Sequence, residues 1–78
     1  MRMPRGVRGE ELSRLLSKLG YEVTRQTGSH IRLSRRGQHH VTIPRHSELK
    51  VGTLSGIVRD IAEHMDMQRK EAIRAIWG

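Results

Sequence analysis

Residues 21–44, which read YEVTRQTGSHIRLSRRGQHHVTIP, decide the fold. Within this segment apolar residues alternate with polar ones in short runs, which is the period of a half-buried strand. Thr27-Gly28 and the tetrapeptide 35–38 interrupt the alternation with turn residues. Pro44 ends the last run because proline has no N–H for a strand ladder. Short runs joined by tight turns predict a three-stranded antiparallel sheet.

The same alternation assigns side chains to the two faces of this sheet, because successive residues of a strand point in opposite directions. The face predicted to pack on helices carries Tyr21, Val23, Ile31, Leu33, Val41 and Ile43. The face predicted to meet solvent carries His30, Arg32, His40 and Thr42.

Helical periodicity flanks the sheet on both sides. Leucines at 12, 15, 16 and 19 form one face of a helix predicted over about Gly9–Leu19. A second apolar stripe follows Thr53, which we expect to be its N-cap, and a third, short helix is expected to be capped by Asp66. The prediction is an α+β fold, an α-β-β-β-α two-layer sandwich with an additional C-terminal helix.

Length and composition limit the function. A chain of 78 residues forms one domain with a thin core, which argues against an enzyme with a large cofactor cleft. We expect residues 1–8 to be a flexible basic arm and residues 9–78 to be the single domain. The absence of cysteine excludes disulfides, thiolate zinc sites and a cysteine nucleophile. The sequence has no apolar run long enough for a membrane span and no signal peptide, so we expect a cytoplasmic protein.

The positive charge is concentrated in the middle of the chain. The net charge is +7, and residues 25–50 hold six Lys or Arg against Glu48 alone. Arginine, which matches phosphate oxygens with its two-pronged guanidinium, dominates the basic residues. This distribution favours a nucleic-acid partner, and the alternative is a basic face kept for solubility. With only Tyr21 and Trp77 as aromatic residues, a single-strand reader that stacks bases is disfavoured.

Most kinds of catalytic site find no support in the sequence. His39 and His40 are adjacent on a strand and point to opposite faces, so both cannot bind one metal ion. The glycines never form a Walker or dinucleotide-binding loop, and no HExxH pattern is present. We therefore expect no metal, no small-molecule cofactor and no membrane partner.

Gly28-Ser29-His30 remains as a candidate for chemistry. A histidine can give or take a proton near neutral pH, and RNA brings its own nucleophile, the 2′-OH. RNA cleavage then needs only proton transfer and cations that stabilise the phosphate. The alternative is that His30 is an ordinary surface residue. The loop 44–54 also has two interpretations. A helix N-terminus with nearby cations can bind an anion, and the same arrangement occurs in ordinary capping.

Three stretches of the chain resemble the HicA family of toxin mRNA interferases. The first is the leucine-striped helix that ends in Leu19-Gly20-Tyr21-Glu22-Val23. The second, 25–33, reads RQTGSHIRL and contains the GSH motif. The third comprises 41–46, VTIPRH, and 48–54, ELKVGTL, followed by a helix with Ile57 and Ile61. Together they cover about residues 7–65.

This resemblance implies a fold like a double-stranded-RNA-binding domain, metal-independent cleavage of mRNA and arrest of translation. It also implies a type II toxin–antitoxin system in which a HicB-type antitoxin covers the active site. By the same resemblance His30 is the catalytic residue, and Gly28 and Ser29 shape the turn that presents it. The residues expected to bind RNA are Arg25, Arg32, Arg45, His46, Lys50 and Thr53.

Several alternatives stay open at the level of sequence. The second proton-transfer group could be His40, His46 or water. The extra helix within 67–78 could support the core or contact an antitoxin. A non-catalytic RNA-binding module fits the charge and fold equally well, and a protein-interaction domain with an acidic partner is a further possibility.

Overall fold

The computed structural model describes residues 2–78 and confirms the predicted α+β layout. The elements, in chain order, are α1 (Gly9–Leu16), a 3-10 turn (Ser17–Leu19), β1 (Tyr21–Gln26), β2 (His30–Arg35), β3 (His39–Pro44), α2 (Val51–His64) and α3 (Arg69–Trp77). Gly20 ends the first helical segment with φ of 90°, a left-handed conformation that glycine adopts without strain.

The strands form one antiparallel sheet in the order β1-β2-β3. In the β2–β3 ladder His30 lies opposite Pro44 at one end and Arg35 lies opposite His39 at the other. The connecting turn has left-handed φ at Arg36 (54°) and Gly37 (66°), as in the type I′ turns that match the twist of hairpin strands. The two ends of this ladder carry different groups of polar side chains.

The core lies between the sheet and the helices. Its fully buried side chains include Leu12 and Leu16 from α1, Ile31, Leu33 and Ile43 from the sheet, Val58 and Ile61 from α2, and Ile73 and Ile76 from α3. The C-terminal helix therefore supports the core, which was one of the two roles expected for it. Lys18 also ties this helix to the 3-10 turn, because its Nζ donates to the carbonyl oxygen of Ile76 at 2.6 Å.

One expected core residue is wrong. Val23 lies opposite Leu33 in the ladder and so shares its face, as predicted, but the Val23 side chain is 46% exposed. The strand β1 is at the edge of the sheet, and of its residues only Tyr21 is buried. The register also shifts between Val23 and Arg25, a bulge that alternation of residue types does not reveal.

Both expected helix caps are also wrong. The N-cap of α2 is Lys50, not Thr53. The preceding residue, Leu49, is buried and donates its N–H to the carbonyl oxygen of Val7 at 2.8 Å, which fixes the chain just before the helix. Thr53 consequently lies exposed in the first turn of α2. The N-cap of α3 is Gln68, whereas Asp66 has φ of 52° and belongs to the turn before it.

The start of α1 packs against the end of β3 without a side chain between them. A Cβ on Gly9 would lie 2.0 Å from the carbonyl oxygen of Pro44, so this contact requires glycine. The N–H of Gly9 donates to the carbonyl oxygen of His46 at 3.0 Å. In the preceding segment Val7 is buried, and whether residues 1–8 form a flexible arm stays a prediction, with Met1 outside the described residues.

Candidate functional site

The turn between β1 and β2 carries the GSH motif and is closed by its own hydrogen bonds. Thr27 Oγ1 accepts the N–H of His30 at 3.0 Å and the N–H of Ser29 at 3.3 Å. The N–H of Thr27 donates to the carbonyl oxygen of His30 at 2.9 Å. A threonine hydroxyl that bonds backbone two and three residues further on is a common way to fix a tight turn. Thr27 therefore shapes the turn that the sequence predicted at Thr27-Gly28, and its hydroxyl supplies the bonds that close it.

Gly28 is not required by the backbone of this turn. Its φ lies outside the left-handed region, and a Cβ built on it would meet no atom within 4 Å. The space above Gly28 is therefore open to a ligand beside the histidine.

His30 is the first residue of β2, and its side chain is exposed. The next residue, Ile31, is 1% exposed and points to the core, so the strand alternation directs the imidazole to the open face of the sheet. The predicted orientation of His30 is thus confirmed.

Ser29 holds one nitrogen of the His30 ring. The distance between Ser29 Oγ and His30 Nδ1 is 2.8 Å, which leaves Nε2 available for a ligand. In the neutral ring with its proton on Nδ1, Nδ1–H donates to the hydroxyl and the lone pair of Nε2 can act as a base. In the doubly protonated ring Nδ1–H makes the same hydrogen bond, and Nε2–H can act as an acid. Either proton state presents Nε2 for proton transfer.

Two arginines share the open face with His30. Arg32 follows two residues later on β2, and it lies opposite Arg25 on β1 and Thr42 on β3. Both arginine side chains are exposed, and within the described chain their guanidinium groups make no hydrogen bond or ion pair. The structure therefore brings His30, Arg25 and Arg32 together on one face.

Arg45 lies at the same end of the sheet but is engaged by the protein itself. Its Nη1 donates to the carbonyl oxygen of Thr27 at 2.9 Å, and its Nη2 donates to Glu10 Oε1 at 2.6 Å. The hydrogen bond and charge of Arg45 hold the pKa of Glu10 below its usual range. Glu10, on α1, is a further member of the site that sequence spacing does not reveal, because 35 residues separate it from Arg45.

The other expected RNA contacts extend away from the turn. His46 follows Arg45 and lines a cleft of about 120 Å³ together with Arg8, Glu10 and Ser47. Lys50 and Thr53 lie exposed at the start of α2, and in the part of the chain that the structure describes no hydrogen bond or ion pair joins them to the His30 turn. Their place in an RNA site stays a prediction.

A cluster of two histidines and a tyrosine lies at the end of the sheet opposite to His30. His39 Nδ1 is 2.6 Å from the hydroxyl of Tyr21, and its ring stacks on His64 with centroids 4.4 Å apart and planes 10° apart. Burial lowers the pKa of His39, the neighbouring His64 adds to this effect, and Asp60 opposes it. Burial also raises the pKa of Tyr21. Nothing in the sequence signalled this cluster, whose members lie on β1, β3 and α2.

Neither a metal centre nor a membrane span emerges from residues 2–78. No group of three or more His, Asp or Glu side chains converges in that range so as to hold a metal ion. Among the described helices none has the length and apolar character to cross a bilayer. His40 is exposed whereas His39 is half-buried, as expected for adjacent residues on opposite faces of a strand.

These features define a small, basic α+β protein with an exposed histidine on a tight turn beside free arginines. The model of the family described as HicA toxin of bacterial toxin-antitoxin matches residues 9–62, and the chain therefore belongs to the HicA toxin family. Membership makes it a toxin of a bacterial toxin–antitoxin type, supports a general nuclease activity and implies pairing with an antitoxin. No curated protein and no solved structure matches the chain. The match ends before α3, although that helix completes the core.

Proposed function

We propose that this protein is an endoribonuclease that cleaves mRNA without a metal ion and thereby arrests translation, with His30 as general acid or base. The observation that carries the proposal is the exposed His30 ring, whose Nδ1 is held by Ser29 and whose Nε2 is free on a face shared with Arg25 and Arg32. The family supports nuclease activity, and the geometry suggests how a chain without a deep cleft performs it.

The proposed reaction uses the nucleophile that RNA carries. The 2′-oxygen forms a bond to the adjacent phosphorus, and the bond from that phosphorus to the 5′-oxygen of the next nucleotide breaks. The 2′-OH gives up its proton and the leaving 5′-oxygen takes one, so the products are a 2′,3′-cyclic phosphate and a 5′-OH. Nε2 of His30 supplies one of these two proton transfers.

Arginines on the open face supply the electrostatic part of catalysis. Negative charge builds up on the phosphate oxygens in the transition state, and fixed cations nearby lower its energy. Arg32 is the nearest such residue along β2, and Arg25 lies beside it. The contact with RNA would extend beyond the scissile phosphate to His46, Lys50 and Thr53. All three are exposed in the segment that comprises the loop after β3 and the first turn of α2.

The second proton-transfer group is better sought near the turn than along the sheet. His40 lies opposite Ser34, four residues along β3 from Pro44, which faces His30. At about 3.3 Å per residue this separation is about 13 Å, too far for both rings to act on one phosphate. His46 or a water molecule is therefore the better candidate.

A HicB-type antitoxin is the proposed protein partner. It would inhibit the toxin by covering the His30 turn and the basic face. Because both are exposed in the free chain, a protein bound there would exclude RNA.

The test is incubation of a long mRNA with purified protein, with and without EDTA, followed by analysis of the product ends. Wild type is expected to cut the RNA equally in both conditions and to leave 2′,3′-cyclic phosphates. His30→Ala is expected to fold normally and to lose about 10²- to 10⁴-fold in rate, the usual contribution of a general acid or base. His40→Ala, an exposed histidine on the same face, is the matched control and is expected to cut like wild type.

The same experiment separates the rival functions. Intact RNA that is retarded by both wild type and His30→Ala indicates a non-catalytic RNA-binding module. No retardation even at low salt indicates a domain that binds an acidic protein, because phosphate contacts strengthen steeply as salt falls. Loss of helical and sheet signal in His30→Ala would make His30 structural.

A further inference from the structure

The guanidinium of Arg45 bridges two parts of the protein that are distant in sequence. One terminal nitrogen binds the carbonyl oxygen of Thr27 and the other binds the carboxylate of Glu10. The backbone of the same residue also holds the turn, since its N–H donates to the carbonyl oxygen of Ser29 at 2.8 Å. Arg45 thus contacts the GSH turn through its backbone and through its side chain.

The Glu10 end of this bridge is fixed in place. Glu10 is the second residue of α1, directly after Gly9, whose close approach to Pro44 leaves no room for a side chain. The helix start therefore cannot shift relative to β3 without breaking a backbone contact. The backbone that carries the Glu10 carboxylate is therefore held beside β3.

The Thr27 end of the bridge lies in the turn that presents His30. Thr27 is the residue whose hydroxyl binds the N–H groups of Ser29 and His30. Because Arg45 holds the carbonyl of Thr27, a movement of the guanidinium would be transmitted to the turn and to the His30 ring. Reactions that depend on a well-placed group can lose about 10²-fold from a displacement of 1 Å.

We propose that Arg45 is a positioning residue that fixes the His30 turn to α1 through Glu10, and that it does not bind RNA phosphate. This inference rests on the proposed ribonuclease function. A phosphate that used both terminal nitrogens of Arg45 would compete with Thr27 and Glu10, and one bound to the remaining N–H groups would still meet the negative charge of the carboxylate. Arg32, whose guanidinium has no partner within residues 2–78, has no such competitor and remains a proposed phosphate ligand.

Single-turnover and steady-state cleavage of mRNA by Arg45→Met and Arg45→Lys test the positioning role. The bridge needs two prongs, so both variants are expected to lower kcat about tenfold and to leave KM within about twofold. Lysine keeps the charge that a phosphate contact needs but cannot span Thr27 and Glu10 together. Rescue of cleavage by Arg45→Lys, or a loss confined to KM, would overturn the proposal.

Glu10 provides an independent check through a double-mutant cycle. If the two residues act as one bridge, Glu10→Ala lowers kcat in the same direction as Arg45→Met, and the double variant is no slower than Arg45→Met alone. If Glu10 instead masks a phosphate-binding arginine, Glu10→Ala raises cleavage at low RNA concentration, and the proposal is wrong.

The salt dependence of RNA binding tests the claim about phosphate directly. In a His30→Ala background, which keeps the RNA intact, the slope of log K against log salt is measured with Arg45→Met and Arg32→Met. Loss of one phosphate contact makes the slope for single-stranded nucleic acid shallower by about 0.7. We expect that change for Arg32→Met and no change for Arg45→Met, and equal changes would refute the proposal. If wild type does not cleave, the proposed function fails, whereas this comparison still decides whether Arg45 contacts phosphate.

Discussion

The two ends of the β2–β3 ladder hold histidines in opposite surroundings. At one end the His30 side chain is exposed on the open face of the sheet, and within residues 2–78 its ring bonds only to the neighbouring Ser29. At the other end His39 is half-buried on the helix side, where it contacts the Tyr21 hydroxyl and stacks on His64. The same residue type therefore contributes a free ring nitrogen at one end and a packing contact at the other.

Position on the sheet, and not residue type, therefore decides how accessible each ring is. A ring that exchanges protons with a substrate must be accessible to it, and the His30 ring is exposed. A ring whose pKa is lowered by burial, as at His39, is suited to stacking and to one internal hydrogen bond. The predictions that follow probe the His30 end and the His39 end separately, beginning with the packing of Gly9 on Pro44 at the His30 end.

Gly9→Ala is expected to have the largest effect on stability. The added methyl group would collide with the backbone of Pro44, which cannot move aside as a flexible side chain can. We expect a loss of about 3 kcal/mol in the free energy of unfolding, the upper end of the cost of overpacking, measured by denaturant titration. For a domain of this size that loss lowers Tm by more than about 10 °C.

The matched control for this prediction is Gly56→Ala. Gly56 lies inside α2, and a Cβ there would meet nothing within 4 Å, so alanine should stabilise the helix by about 0.5–1 kcal/mol. Equal stabilities for the two variants would contradict the close packing of α1 on β3.

Gly28→Ala is expected to affect RNA binding and not stability. The protein leaves open space around Gly28, so its free energy of unfolding should change by less than about 0.5 kcal/mol. A methyl group there would stand beside Ser29 and His30, where the RNA backbone is proposed to approach. We expect an affinity about tenfold weaker, measured by gel shift in the His30→Ala background. Unchanged affinity would place the RNA elsewhere.

Acidification is expected to have the smallest effect on stability, and to act only through the His39 end of the ladder. The folded pKa of His39 is lowered, first by burial and then by His64, against its ordinary value of 6.5, while Asp60 opposes and His40 adds to the shift. The unfolded chain therefore takes up a proton that the folded chain resists, so this contribution is fully present above pH 6.5 and is lost as the pH falls through the folded value. Tyr21 also faces this ring and stays uncharged throughout this range.

The measurement is Tm between pH 8 and pH 5 for wild type and His39→Gln. The glutamine variant lacks the titrating ring, so its decline on acidification should be shallower than that of wild type. Parallel curves would show that His39 does not contribute to the pH dependence of stability.

The sequence predicted the arrangement of helices and strands because each buried face recurs at a regular spacing. The alternation at Ile31, Leu33, Val41 and Ile43 corresponds to residues whose burial is nearly complete. Val23 fits the same pattern but is exposed, because alternation does not tell an edge strand with a bulge from a central one. Likewise, the position of the N-cap of α2 depends on the burial of Leu49. That burial is a tertiary contact, which a local sequence pattern does not show.

The candidate site was predictable where its parts are local in sequence. Gly28, Ser29 and His30 are contiguous, and Arg32 is placed beside them by strand period alone. Tertiary contacts were not predictable: Glu10 meets Arg45 across 35 residues, and His64 reaches His39 from another element. No periodic signal connects such pairs, because the packing of α1 and α2 on the sheet creates them.

The central claim is that His30, the exposed histidine at one end of the β2–β3 ladder, performs proton transfer in catalysis. Its most direct test is the single-turnover rate of mRNA cleavage for His30→Gln and His39→Gln, with Tm measured for both. The account predicts that His30→Gln loses at least about 100-fold in rate with Tm unchanged, and that His39→Gln keeps the rate while its Tm falls. The claim is contradicted if His30→Gln still cleaves at the wild-type rate, or if both variants lose activity only in proportion to their loss of folded protein.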